Sequence, residues 1–176
     1  MRRWGFLAGA AILLAGCAHY QLGTGGTPVF ATLYVAPVIN KALLPQAQAI
    51  ATSQLRERFE RDGRVGLADA PGGADATLEV SLTDYHREIA ATRSDDTGLA
   101  RKFAITLTAH CSLKDNRTGK FLFEDRVISV RKDAFTDNGL PALLPAGNQL
   151  QSEYNTFPIL ARTLADKVAH SVLDVW

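Results

Sequence analysis

The sequence is poor in cysteine: Cys17 and Cys111 are the two among 176 residues. At most one internal bridge is possible, so a disulfide-stapled scaffold is excluded. Histidine is scarce as well. His19, His86, His110 and His170 lie far apart, with no metal-ligand spacing, so no metal is expected. Long apolar runs are missing. The longest, Trp4 to Ala15, falls short of the roughly 20 residues of a membrane-spanning helix. Charge of one sign is also missing, since 19 Lys and Arg face 18 Asp and Glu. A nucleic-acid-binding domain is strongly basic, so that class is excluded. No G-x-S-x-G, H-E-x-x-H or C-x-x-C occurs, and no cofactor signature is found.

What is present begins with a processing layout. Residues 1–16, MRRWGFLAGAAILLAG, run from Arg2 and Arg3 through an apolar stretch to small residues, the plan of a secretory signal peptide. The stretch ends in Leu14-Ala15-Gly16-Cys17, which looks like the bacterial lipobox. Cys17 would then become the acylated first residue, carrying chains such as palmitate. Two or more chains anchor stably, at about 0.8 kcal/mol per buried methylene. Ala18 follows instead of aspartate, which by resemblance to enteric sorting rules favours the outer membrane. Removing residues 1–16 takes away two arginines and no acid, so the formal net charge moves from +1 to −1. Cys111 is then left without a partner. Residues 17–28 read as a lipidated cysteine with a short Gly-rich tether, and 29–176 as one domain.

Within that domain the hydrophobic period changes from element to element. Residues 29–38, VFATLYVAPV, are β-branched and aromatic and predict a first strand. Over 43–63 the period becomes helical, with Ala47, Ile50, Ala51, Leu55 and Phe59 on one face. Pro45 suits the first turn and Gly63 the position past the end. A short strand is expected at 65–68, then a turn at Pro71-Gly72-Gly73. Leu78, Val80 and Leu82 alternate with polar residues, a strand with one face buried. Phe103, Ile105, Leu107, Ala109, Cys111 and Leu113 repeat that pattern, and 116–119 supplies turn chemistry. The return strand shifts its alternation after Phe123, which a bulge near Glu124–Arg126 would repair. The last helix carries a stripe of Phe157, Leu160, Ala161, Leu164, Val168, Val172 and Val175, with Pro158 either starting or kinking it. The order β-α-β-β-β-α predicts an α+β two-layer sandwich. Two amphipathic helices would cover one face of a mixed, largely antiparallel sheet of about four strands.

Candidate chemistry is sparse. Cys111 sits on an apolar strand face, where burial competes with reactivity. Asp95-Asp96 and Glu124-Asp125 are paired carboxylates with no base placed opposite. Arg87, Arg93, Arg101 and Lys102 gather at one end of the middle hairpin, and Arg131 and Lys132 end the return strand. Such donors suit phosphate or carboxylate groups, and equally suit a solvated strand end.

At this point the chain resembles the LptE family, lipoproteins of the lipopolysaccharide-assembly machine. The resemblance rests on the ordered segments GCAHYQLG, then LYVAPVINKALLPQAQAIATSQLRERFERDGRVGLADAPGGADATLEVSLTDY, TLTAHCSLKDNRTGKFLFED and LARTLADKVAHSVLDVW. It implies a two-helix, four-stranded fold, no enzyme, and localisation by lipid anchor at the outer membrane of a Gram-negative bacterium. It also implies partners: an LptD-like outer-membrane β-barrel, which the protein plugs and helps assemble, and lipopolysaccharide. The loop DAFTDNGLPALLPAGNQ, longer and more apolar than the family pattern, is a departure. Two other readings compete. One is a lipoprotein activator of a peptidoglycan synthase, disfavoured by the short tether. The other is a small hydrolase, disfavoured by the missing constellations.

Overall fold

A computed structural model describes residues 29–92, 100–135 and 149–174. Six strands and two α-helices follow one another as β1 (Thr32–Val35), β2 (Ile39–Asn40), α1 (Ala47–Asp62), β3 (Gly66–Ala68), β4 (Ala76–Thr92), β5 (Ala100–Asp115), β6 (Phe121–Phe135) and α2 (Gln149–Leu173). A 3-10 turn at Pro71–Gly73 precedes β4. One sheet has the order β3-β1-β4-β5-β6, with β2 also on β4. β1 and β2 run parallel to β4, whereas β4, β5 and β6 are antiparallel. The α+β class and the mixed sheet are as the sequence predicts. The strands among the described residues number six, more than about four. The first strand expected at 29–38 is confined to Thr32–Val35, and β2 begins just beyond that stretch. Pro37 has no N–H to give to a ladder, so the chain pairs with β4 twice, at Ala76–Leu78 and again at Ser81–Leu82.

Burial explains the layers. Phe103, Ile105, Leu107, Ala109, Cys111 and Leu113 all point under the helices, as their alternation requires. α1 buries Ala47, Ala51, Leu55 and Phe59 at steps of four, one helical face. It ends on Gly63, whose φ of 72° no β-carbon hinders and whose N–H donates to Phe59 O at 3.1 Å. α2 buries Phe157, Leu160, Leu164, Val168, Val172 and Leu173, together with Ala161, Ala165 and Ala169. The small residues recur every four positions and let α1 and α2 approach closely. Pro158 lies inside α2, nine residues after its start at Gln149, so it neither begins the helix nor ends it. Val175 lies outside the described residues.

Two irregularities shape the long strands. Cys111 pairs with Arg126 and Leu113 with Phe123, so β6 carries one extra residue between them. That is the expected bulge, and Asp125 holds it with a φ of 51°. β4 has its own shift between Leu82 and Asp84. Beyond Leu82 the β4–β6 ribbon projects past β1 and β2 for about 30 Å.

Candidate functional site

This ribbon carries Arg87, Lys102, Arg131 and Lys132 of the predicted basic set, and the register divides them between two faces. Ile105, under the helices, stands between Arg87 and Lys132, so these two share the helix-covered side. Lys102 and Arg131 alternate with buried Phe103 and Val130 and therefore lie on the open face. Arg93 and the side chain of Arg101 lie outside the described residues. Lys102 pairs with Phe135, four rungs beyond the Thr106–Arg131 pair, so Arg131 stands about 13 Å from it along the strands.

Carboxylates accompany these cations. Arg87 donates to Glu153 of α2 at 2.6 Å, and Tyr85 O–H donates to the same carboxylate at 3.3 Å. Burial, then the Glu153 charge, pushes the Tyr85 hydroxyl up to about 12, so it stays a donor. On the open face Lys102 meets Asp133 at 3.0 Å and Arg131 meets Glu88 at 2.5 Å. Arg87 lies 5.8 Å from the Phe103 ring centre and Lys102 5.9 Å from that of Phe135. Phe135 and Ile89 are 59% and 62% exposed. Sequence reasoning named the cations and missed Glu88, Asp133, Glu153, Phe103 and Phe135 as their companions. Cross-strand register supplies those neighbours, and no local spacing encodes it.

The rest of the open face is hydroxyl-rich, with Thr106, Thr108 and Ser112 half-buried. His110 contacts Asp125 at 2.5 Å, so this histidine serves the bulge. Ser129 and Lys132 have the Ser-x-x-Lys spacing of some acylating enzymes. On a strand that spacing puts them on opposite faces, where they form no nucleophile–base pair. Cys111 is fully buried, and burial pushes its thiol up to about 12. It packs as an inert hydrophobe. No group of histidine, cysteine and carboxylates that could hold a metal occurs among the described residues. No helix among them is long and apolar enough to cross a membrane.

The opposite end of the sheet is tied down. Asp75 accepts from the Ala31 and Thr32 amides at 2.9 and 3.0 Å, and these bonds lower its pKa. Its own N–H donates to the Thr32 hydroxyl at 2.9 Å. Asn116 donates its amide to Pro71 O and Ala74 O at 3.1 and 2.9 Å, and accepts from Thr77 O–H at 3.0 Å. The start of β1, the 3-10 turn and the β5–β6 turn thus close on one another.

This arrangement has known counterparts. Residues 30–174, nearly the whole described fold, match the family LptE, lipopolysaccharide-assembly. The chain belongs to the LptE family. Its members are non-enzymatic lipoproteins. No protein of curated function matches the chain by sequence. Among solved structures, a hypothetical protein of Chlamydia trachomatis superposes with a TM-score of 0.56 at 10% identity, over 82% of this chain and 96% of that one. A minor lipoprotein of Acinetobacter baumannii gives 0.51 at 17%, over 82% and 93%. Rare lipoprotein B of Shewanella oneidensis gives 0.51 at 15%, over 80% and 92%. At such identities the likeness is one of fold. This LptE-family chain shares with them the two helices laid on one open sheet.

Proposed function

We propose that this LptE-family chain is a non-enzymatic lipoprotein anchored through acylated Cys17 in the outer membrane of a Gram-negative bacterium. There it plugs and helps assemble a large LptD-like β-barrel, and it binds lipopolysaccharide. The family match over residues 30–174 carries the reading. The hydroxyl-rich open face supports it, because a plug must meet the polar interior of a barrel. The tether after Cys17, 18–28, spans about 40 Å at most, which keeps the domain beside its membrane. That reach is too short for an activator working across the periplasm. Arg87, Arg93, Arg101, Lys102, Arg131 and Lys132 are the proposed lipopolysaccharide contacts. Its phosphates would compete with Glu153, Asp133 and Glu88 for these donors, since phosphate offers more charge and more acceptor oxygens than a carboxylate.

Purification from detergent-solubilised membranes tests the reading. A β-barrel should be recovered near one-to-one with the chain, and recovery of the chain alone overturns it. Cys17→Ala should move the protein from the membrane to the soluble fraction. Joint reversal of Arg101 and Lys102 to glutamate should weaken lipopolysaccharide binding at least about tenfold. Unchanged binding removes the basic set from the proposal while leaving the barrel partner in place.

A further inference from the structure

β4 is paired with β5 along its whole length, but among the described residues its other edge is covered only as far as Leu82. The last rung there is Lys41 N–H to Leu82 O at 2.8 Å. The chain then turns away through Leu43, whose φ is 56° and whose side chain is 88% exposed. From Asp84 to Thr92 this edge has no strand partner among the described residues. Leu78 O and Leu82 O point outward, to the β1–β2 side. Carried through the bulge between Leu82 and Asp84, the alternation turns the backbone N–H and C=O of Tyr85, Arg87 and Ile89 outward as well. An open lane therefore continues the line of β1 and β2 along the projecting ribbon.

We propose that this lane receives an extended strand of another protein, and that its occupant is an unpaired edge strand of an outer-membrane β-barrel that has not yet closed. The inference rests on the assembly role proposed above. The two faces of the lane differ. Asp84, His86 and Glu88 line the open side, and Tyr85, Arg87 and Ile89 the other. A membrane β-strand alternates polar and apolar residues with the same period, so its polar face meets the acids and its apolar face meets Tyr85 and Ile89. Exposed Ile39 and Leu43 lie at the foot of the lane and exposed Ile89 near its far end. A closed barrel has no free edge to give, whereas an unclosed one has two. A second copy of this chain fits poorly. Antiparallel pairing centred on His86 sets Asp84 of each copy against Glu88 of the other, and directly opposed like charges repel.

Amide hydrogen exchange at Tyr85, Arg87 and Ile89 tests this, read on the full chain alone and on the chain trapped with the barrel during its assembly. The three amides should exchange readily in the free chain. In the trapped complex they should slow by at least about tenfold. Amides of β4 that already bond to β5 should change little. If a barrel is recovered and the three amides are unaltered, the edge-pairing inference fails while the assembly role stands. If no barrel is recovered, both fail. Slow exchange already in the free chain shows the lane filled by this chain itself or a second copy, and overturns the proposal.

Discussion

The two ends of β4 are built from one strand yet differ in kind. From Ala76 to Leu82 it lies between β1–β2 and β5, under both helices, and Ala76, Leu78, Val80 and Leu82 are buried. Asp75 and Asn116 tie its start to two turns and to the entry of β1. From Asp84 onward it has one strand neighbour among the described residues, and nearly every side chain is exposed. The first half carries the buried apolar side chains. The second half leaves backbone groups, cations and apolar side chains available to something else. Separation of this kind is economical, because a binding surface must stay accessible and a core must not.

The contrast can be tested from the largest expected effect to the smallest. Leu78→Ala, at the enclosed end, should cost about 2–5 kcal/mol in urea unfolding, the range for a buried leucine. A loss below 1 kcal/mol would mean that this end is not the stability centre. Asn116→Ala should cost about 1–3 kcal/mol, because it strands two carbonyls and a hydroxyl that it now satisfies.

Asp75 gives the same end a pH signature. Backbone bonds from Ala31 and Thr32 hold its pKa below the ordinary 3.8. Its contribution is therefore complete above that value and is lost as pH falls through the folded pKa. Thermal melts between pH 5 and about pH 2 should show a smaller acid-induced decline in Asp75→Ala than in the parent. An identical decline would remove Asp75 from the account.

At the projecting end, Glu88→Gln breaks one exposed ion pair with Arg131 and should cost only about 0.2–1 kcal/mol. Ile89→Ser, 62% exposed, should change stability by less than about 0.5 kcal/mol. A cost of 2 kcal/mol there would show that the ribbon's end is part of the core after all.

The sequence was most legible where one residue's neighbours are set by local period. The β5 alternation, the steps of four in α1, the Gly63 stop and the Asp125 bulge all follow from spacing along a single element. It was less legible where a short element survives only through its partner. β2 has two residues and no pattern of its own, and it exists because β4 offers it a ladder. The α2 stripe was read with Ala161 in it, and buried Ala165 and Ala169 escaped because alanine is equally at home on a surface. Pro158 stayed ambiguous because a proline can begin a helix or sit within one, depending on what packs around it.

The candidate site divides in the same way. That cations gather along the middle ribbon was readable from Arg87, Lys102, Arg131 and Lys132 in the chain. Their distribution over two faces, and the carboxylate beside each of Arg87, Lys102 and Arg131, were not. By itself the sequence determined the element types and the buried face of each, because these depend on period and residue chemistry. The tertiary structure alone decided which residues oppose one another across strands and which part of β4's edge has no strand partner among the described residues. Those depend on register and chain path, and a one-residue slip in pairing changes every neighbour while leaving the sequence pattern intact.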